Sequence, residues 1–300
     1  MSYLITGATG LVGTAIVKLC KVQGIPIHYL TTNRDKIKNS EFCKGFYWNP
    51  VTGEIDDAAF EKVSTIIHLA GATVAKRWTN VYKNEIIESR VNSAKLLHDT
   101  LSRIEHQVTH FISASAIGIY PNSDTKLYTE ETQKFAKDFL GNVVTAWEQS
   151  ADHFETLGID VAKLRIGLVL SDSGGALPQM IAPIKKYIGA AFGSGEQWQS
   201  WIHVNDLAEL FLFLAKNKLV GIYNGVAPNP VTQNKLIRTS AELLKKPLIL
   251  PNIPKFMARL LLGEMYVLLT SSQRVSAEKV LSQGFFYEYD SVEKALKELL

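Results

Sequence analysis

Short apolar runs alternate with longer amphipathic stretches along the first half of the chain. Leu4-Ile5 and Ile27 to Leu30 have the length of strands, whereas apolar residues recur at helical spacing from Leu11 to Gln23. Gly24 marks the end of that predicted helix. Four later runs also predict strands, namely Phe46 to Trp48, Ile66 to Leu69, Phe111-Ile112 and Val161 to Leu164.

The stretches Val81 to Ser102 and Phe139 to Leu157 are long enough to form crossover helices between the later strands. Strands and helices in alternation predict an α/β fold, a Rossmann-type doubly wound parallel sheet with helices on both faces. After Gly167 the pattern changes to shorter, mainly helical pieces. We therefore predict a dinucleotide-binding domain over residues 1–167 and a smaller, mainly helical substrate-side region over residues 168–300, interleaved with the sheet edge.

Composition and charge narrow the class of partner. The 32 basic and 29 acidic residues give a net charge of +3, and the basic residues form no block, which argues against nucleic acid. The most apolar tract, Phe256 to Thr270, is interrupted by charges and is too short to span a bilayer. Two cysteines without metal spacing fit a reduced compartment. We expect a cytoplasmic protein that acts on a small-molecule substrate and binds neither membrane nor metal. The sequence leaves open whether the protein forms a homodimer.

The stretch GATGLVG follows the first predicted strand and opens the first predicted helix. Gly7 permits a tight turn, Gly10 lets the backbone approach a phosphate, and Gly13 lets helix and strand pack closely. The helix N-terminus directs its free N–H groups at the anion. This context predicts a pyrophosphate-binding loop, whose remaining contact residues are Thr9, Leu11 and Val12.

The end of the second strand bears on the choice of cofactor. NAD-binding units place an acid there for the ribose hydroxyls, but this chain has Thr31, Asn33 and then Arg34. Arg34 can bind a 2′-phosphate through charged hydrogen bonds. We therefore expect NADP as the cofactor, while Asp35 keeps NAD open.

Three motifs show a resemblance to a known family. With GATGLVG, HLAG at His68 to Gly71 and SASAIGIY at Ser113 to Tyr120, the chain resembles the extended short-chain dehydrogenase/reductases. More closely, it is similar to the YfcH-like epimerase-family branch, which carries a C-terminal domain of unknown function, here about residues 247–300. The resemblance adds predicted cofactor contacts at Leu69, Ala70, Gly71, Ser113 and Ala114.

The resemblance also exposes a departure from the superfamily. Its members use a Tyr-xxx-Lys pair for acid/base chemistry, but none of the eleven tyrosines here is followed four residues later by a lysine. Leu140 and Val144 occupy the two positions. Ser115 and Tyr120 are therefore the candidate catalytic residues, although Ser115 equally suits a strand cap and packing under the substrate lid is the commoner role for a tyrosine placed like Tyr120.

Five residues are predicted to line the substrate pocket. Arg77 and Trp78 follow the HLAG loop and can close over the cleft, and plain surface packing is the alternative. Gly195, Trp201 and His203 belong to a glycine turn and an aromatic cluster at a place that lines the pocket in extended relatives. Ser200-Trp201 stands where those relatives often carry an arginine for a sugar-nucleotide diphosphate, which favours a smaller or more apolar ligand.

Three functions are compatible with these residues. The first is an NADP-dependent oxidoreductase acting on a small carbonyl or olefin, with the proton handled by Ser115 and a water or Tyr120. The second is a nucleotide-sugar-type epimerase with tightly held cofactor. The third is a non-catalytic dinucleotide-binding sensor or scaffold, a role the resemblance links to cell division.

Overall fold

A computed structural model describes residues 2–300, and its centre is an eight-stranded sheet. Seven strands run parallel: β1 (Ser2–Thr6), β2 (Ile27–Thr31), β3 (Cys43–Asn49), β5 (Val63–His68), β6 (His110–Ala116), β8 (Asp160–Ile166) and β12 (Gly221–Gly225). Antiparallel β4 (Glu54–Ile55) closes one edge. The order β12-β8-β6-β5-β1-β2-β3-β4 reverses direction at β1, the switch point where such sheets bind ligands.

Successive residues of the central strands point to opposite faces and so build two cores. One face buries Ile5, Ile67 and Ile112 against α1 (Leu11–Val22) and α5 (Val204–Lys216). The other buries Leu4, Ile66 and Phe111 against α2 (Asn80–Leu101) and the end of α3 (Phe139–Asp152). Near-continuous apolar runs are what a sheet covered on both faces requires, which is why the strands were readable from the sequence.

The predicted doubly wound sheet is confirmed, and the predicted strands and helices match the observed ones to within a few residues. The second crossover helix is shorter than expected. It gives way to a tight 3-10 turn over His153–Leu157, and Gly158 with φ +71° then turns the chain into β8.

The second half of the chain adds short elements over the carboxyl edge of the sheet. Its short strands are β9 (Leu168–Leu170), β10 (Trp198–Gln199), β11 (Trp201–His203), β13 (Val231–Thr232) and β14 (Arg274–Val275). Strand β14 pairs with β7 (Leu127–Tyr128) from the first half. The helices of the second half are α4 (Ala176–Lys185), α6 (Gln233–Leu243), α7 (Lys255–Leu262), α8 (Val267–Thr270), α9 (Glu278–Ser282) and α10 (Val292–Leu299). Strand β12 from this half completes the sheet beside β8, and the boundary at residue 167 stays a prediction.

None of the helices within residues 2–300 has the length and apolar character needed to cross a membrane.

Candidate functional site

The glycine loop joins β1 to α1 at the switch point of the sheet. Gly7 has φ +67°, a conformation that side chains rarely adopt. A Cβ on Gly13 would lie 2.2 Å from the Gly7 carbonyl oxygen, so only glycine permits this approach of helix to turn. A Cβ on Gly10 would lie 3.2 Å from the same oxygen. Thr9 and Gly10 are exposed, and the loop therefore presents backbone to solvent.

The N-terminus of α1 has no side-chain cap. Gly10 is the N-cap residue and offers no acceptor to the first N–H groups of the helix. Those groups and the helix dipole favour an anion at this point. Half-buried Leu11 and Val12 begin the helix, and a Cβ on Gly175 would lie 3.1 Å from Leu11, so the Gly174-Gly175 loop lies directly beside the glycine loop. These features fit a dinucleotide pyrophosphate.

Arg34 lies beyond the buried Thr31, at the end of β2. Its guanidinium carbon is 3.6 Å from the centre of the Tyr47 ring, and Nη2 is 3.0 Å from Glu54 Oε1. The Asn33 side chain caps the short turn that carries Arg34 by accepting from the Asp35 N–H at 2.9 Å. Both partners of the ion pair are more than half exposed, and such a pair contributes about 1 kcal/mol or less. Arg34 is therefore free to exchange Glu54 for a phosphate.

The HLAG loop lies against the glycine loop on its other side. A Cβ on Gly7 would lie 3.1 Å from the Leu69 carbonyl, and the Thr6 hydroxyl accepts from the N–H groups of Leu69 and Ala70 at 3.0 and 3.1 Å. His68 is fully buried between Thr6 and Ser93, and burial lowers its pKa to about 3. His68 is thus a neutral anchor of the loop.

The other predicted contacts of this strand edge lie deeper. Ser113 is 1% exposed and Ala114 is 4% exposed, both within β6. The Ser113 hydroxyl donates to the carbonyl of Ala114 at 2.9 Å. His68 and Ser113 are register partners, so these residues lie in the strand beside the HLAG loop, and their contact with the cofactor stays a prediction.

Ser115 and Tyr120 lie in one buried hydrogen-bond network. The Ser115 hydroxyl donates to Glu148 Oε1 at 2.6 Å, and Arg165 holds both Glu148 oxygens through Nε at 2.8 Å and Nη2 at 2.9 Å. Arg165 Nη1 also donates to the Tyr120 hydroxyl at 3.0 Å, which itself donates to Asn224 Oδ1 at 2.8 Å. Each of these five residues is at most 7% exposed.

The electrostatics of this network oppose proton transfer by Tyr120. Burial raises the pKa of its phenol above the usual value, and the charge of Arg165 offsets only part of that rise. For Arg165, burial alone would lower the pKa, but the hydrogen bonds to Glu148 keep it raised. The sequence analysis missed Glu148, Arg165 and Asn224 as a unit, because the chain brings them together from separate elements.

An apolar cluster stands where the superfamily places its Tyr-xxx-Lys pair. Leu140 and Val144 of α3 lie beside the 3-10 turn Ile117–Ile119, at 3.6 and 3.9 Å from a Cβ on Gly118. Trp78, Ile86 and Val143 form a buried apolar cluster here, and Phe139, Leu140, Met265 and Val267 pack against it. The segment after α7 thus packs on the same cluster as Leu140, and a Lys83–Glu264 ion pair reinforces this contact.

Arg77 and Trp78 have different environments. Arg77 is exposed, whereas Trp78 is 9% exposed and packs edge-on against Phe139 at 4.9 Å. The Trp78 indole also donates to the carbonyl of Val74 at 2.9 Å. The loop after HLAG is therefore pinned over the N-terminus of α3, with Arg77 free at its surface.

The structure places the other three predicted pocket residues in a core. Trp201 is fully buried and donates to the Asn229 carbonyl at 3.0 Å. His203 is stacked on Tyr289 at 3.8 Å and is 3.0 Å from Glu298. A Cβ on Gly195 would lie 2.1 Å from Asn234 Oδ1. The C-terminal helix α10 and helix α6 cover these residues, which is why an aromatic cluster read as a pocket from the sequence is buried here.

Within residues 2–300, no group of three or more His, Cys, Asp or Glu side chains is placed to hold a metal ion.

Comparison with known proteins decides the family. The model of the NAD dependent epimerase/dehydratase family matches residues 3–224. The chain belongs to this family. A domain of unknown function, DUF1731, matches residues 253–299, which confirms the predicted C-terminal segment. This segment contains α7 to α10, and its Met265 packs against the same apolar cluster as Leu140.

Three similar proteins cover nearly the whole chain. Epimerase family protein SAR0825 of Staphylococcus aureus is 38% identical over 299 residues, 99% of this chain and 98% of the relative. The crystal structure of human epimerase family protein SDR39U1 with NADPH has a TM-score of 0.86 at 26% identity, covering 100% of this chain and 99% of that one. A nucleoside-diphosphate sugar epimerase from Corynebacterium glutamicum has a TM-score of 0.77 at 27% identity, covering 100% and 58%.

Proposed function

We propose that the chain binds NADP(H) and acts as an oxidoreductase on a small, partly apolar carbonyl or olefin. The observation that carries this proposal is the uncapped N-terminus of α1 beneath an exposed glycine loop, with the Gly174-Gly175 loop beside it. Arg34 supports the choice of NADP(H), because within residues 2–300 its one ion-pair partner is the exposed Glu54. The NADPH bound by the similar human protein supports the same choice.

When bound, the dinucleotide supplies or accepts a hydride. The chain's own residues hold it and shape the cleft: the α1 N-terminus binds the pyrophosphate, Arg34 binds the 2′-phosphate, and Leu69 to Gly71 flank the ribose side. Leu140 and Val144 place apolar side chains where a proton donor usually stands. An apolar wall there favours a substrate with apolar groups beside its reacting carbon.

The geometry favours a positioning role for Ser115 and Tyr120 in place of the predicted proton transfer. Both hydroxyl groups are buried and their protons are committed to Glu148 and Asn224. We propose that the network fixes the end of β6 and that the proton comes from solvent. A general acid contributes about 10²–10⁴-fold, so turnover should be slow compared with dyad-containing relatives.

A second candidate function is supported by the same burial. Without an accessible hydroxyl on Ser115 or Tyr120, the chain can serve as a non-catalytic dinucleotide-binding sensor or scaffold. An epimerase with tightly held cofactor lacks a comparable observation in this site, although the family name includes that reaction. A cytoplasmic location, a small-molecule partner and the oligomeric state stay predictions.

Gly10→Val tests the loop. We expect at least a 100-fold loss of NADPH affinity, because a branched side chain fills the space where the phosphate approaches. The fold should survive, since Gly10 has φ −82°, which valine adopts. Energy transfer from tryptophan to the reduced nicotinamide measures the affinity. The control is Gly24→Ala, a strained position with φ +65° that lies outside the loop, and it should bind NADPH normally.

Arg34→Ala tests the 2′-phosphate. We expect a loss of about 10- to 100-fold for NADPH and little change for NADH, because only NADPH carries the group that charged hydrogen bonds reach. Glu54→Gln is the complementary variant. It should strengthen NADPH binding slightly, because it removes the carboxylate that pairs with Arg34. Equal losses for the two dinucleotides would contradict the role of Arg34.

A further inference from the structure

Arg90 of α2 is a buried cation whose hydrogen bonds are incomplete. The residue is 8% exposed, and within residues 2–300 it forms no ion pair with a carboxylate. Nη1 donates to the carbonyls of Ala72 at 3.1 Å and Ile86 at 2.8 Å, whereas Nε is buried and has no partner. A buried charge without a counter-ion is costly, so its retention calls for a function.

The neighbouring aromatic side chain has the same property. The Arg90 guanidinium carbon lies 4.6 Å from the centre of the Trp147 ring, a cation–π contact between α2 and α3. Trp147 Nε1 is also buried without a hydrogen-bond partner. Buried donors without a partner are uncommon in native proteins, and an acceptor supplied by a bound ligand is one explanation for them.

Arg165 shows what the unused edge of Arg90 is suited to bind. Arg165 binds the two oxygens of Glu148 through Nε and Nη2, in the side-on geometry that matches a carboxylate. In Arg90 both hydrogen bonds come from Nη1, and the Nε–Nη2 edge has no partner within the described residues. The edge therefore has the donors for one carboxylate.

The position of Arg90 connects it to the proposed cofactor cleft. A Cβ on Gly71 would lie 3.0 Å from the guanidinium carbon, and Gly71 is itself an exposed residue of the HLAG loop. The Arg90 atoms nearest to that position are Cζ, Cγ and Nη1, so Gly71 lies directly against the guanidinium group. Arg77 stands exposed six residues further along the same loop and adds positive charge.

We propose that Arg90 and Trp147 form a subsite for a carboxylate group of the substrate, entered beside Gly71. This inference rests on the proposed function and narrows its substrate to carboxylate-bearing carbonyl or olefin compounds. Burial lowers the pKa of Arg90 only to about 10, so the guanidinium is charged at neutral pH. The pyrophosphate of the cofactor has its own donors at α1, so it does not require Arg90.

The test is NMR of the arginine Nε–H groups in isotopically labelled protein, with the Arg90 signal assigned by its loss in Arg90→Lys. The probes are α-ketoisocaproate and methyl isobutyl ketone, which differ only in carrying a carboxylate or a methyl group. We expect a saturable shift of the Arg90 signal with the first probe and none with the second. The Arg165 signal is the internal control and should not move.

Variants separate binding from structure. Arg90→Gln should weaken α-ketoisocaproate binding about 10- to 100-fold, as expected for a lost charged hydrogen bond. Trp147→Phe keeps the ring, removes one donor and should weaken binding less. Gly71→Ala should weaken binding by pressing on the guanidinium. Far-ultraviolet circular dichroism checks that each variant folds.

The outcomes distinguish the two proposals. Absence of a saturable Arg90 shift, or an equal shift with the ketone, overturns the carboxylate subsite, whatever the result with NADPH. An Arg90 shift in protein that fails to bind NADPH supports the subsite and overturns the proposed function. If Arg90→Gln weakens NADPH as much as α-ketoisocaproate, the anion is a phosphate of the cofactor and the carboxylate assignment is wrong.

Discussion

Arg90 and Arg165 are two buried arginines that contact neighbouring residues of α3, and they differ in whether a carboxylate pairs with them. Arg165 reaches Glu148 and is fully paired, whereas Arg90 stacks on the adjacent Trp147 and has no carboxylate. The first lies in a closed network of five side chains, and the second lies beneath an exposed glycine. Both charges are buried, but a carboxylate compensates the charge of Arg165, whereas Arg90 has no carboxylate partner within residues 2–300.

The paired arginine accounts for what the sequence analysis assigned to catalysis. Ser115 joins the ion pair to β6 through its hydrogen bond to Glu148. Tyr120 joins it to β12 through its hydrogen bond to Asn224. A satisfied polar network of this kind rigidifies a core, and opening it to reach substrate would expose a buried charge. In the free protein no carboxylate within residues 2–300 compensates the desolvation of the Arg90 charge. We propose that a bound carboxylate compensates it.

The largest change in stability should follow from breaking the Glu148–Arg165 ion pair. Glu148→Gln leaves the charge of Arg165 buried without a counter-ion, and we expect the free energy of unfolding to fall by about 3–5 kcal/mol. Urea unfolding followed by circular dichroism measures the change. The double variant Glu148→Leu, Arg165→Met should recover most of the loss, because it removes both charges. A loss below about 1 kcal/mol for Glu148→Gln would contradict the comparison.

Lowering the pH should destabilise the protein through protonation of His68, whose pKa the charge of Arg90 helps to lower. The pKa of His68 is lowered by burial first and by the charge of Arg90 second, to about 3, against about 6.5 when unfolded. The stability this histidine contributes is full above about pH 6.5 and is lost as the pH falls toward about 3, by about 1.4 kcal/mol per pH unit.

Urea unfolding at stepped pH measures this dependence. His68→Gln should show a shallower fall than the unmodified chain across that window, since the carboxylates titrate alike in both. In Arg90→Gln the pKa of His68 should rise and the window should narrow. Parallel curves for all three proteins would show that neither burial nor Arg90 acts on His68.

The smallest effect should come from removing the unpaired charge. Arg90→Met loses two hydrogen bonds but also relieves a buried charge, so we expect the free energy of unfolding to change by about 1 kcal/mol or less. The same denaturation assay applies, with Glu148→Gln as the reference. If Arg90→Met is as destabilising as Glu148→Gln, Arg90 is a structural residue and the contrast between the two arginines fails.

Local patterns carried most of the fold prediction. The apolar runs of the central strands and the helical spacing from Leu11 identified the sheet and α1, because both are set by neighbours along the chain. The glycine loop was also readable, since Gly7 and Gly13 are required by backbone geometry within one turn. Leu140 and Val144 were located by counting from Trp147-Glu148, and the structure places them beside the Ile117–Ile119 turn.

The arrangement of the site depends on contacts that local patterns do not encode. Tyr120 meets Asn224 across 104 residues, and Trp201 is covered by a C-terminal segment whose helices follow it by more than fifty residues. Whether an aromatic residue faces a pocket or a core is decided by what packs on it later in the chain. Arg90 carried no pattern of its own, because its missing partner is visible only in three dimensions.

The most direct test of the account is a side-by-side titration of the unmodified chain with NADPH and NADH, followed by energy transfer from tryptophan to the reduced nicotinamide. The account predicts saturable binding of both with at least a tenfold preference for NADPH, about 1.4 kcal/mol or more. Equal affinities would contradict the role of Arg34. Binding of neither dinucleotide would contradict the central claim that the GATGLVG loop is a working cofactor site.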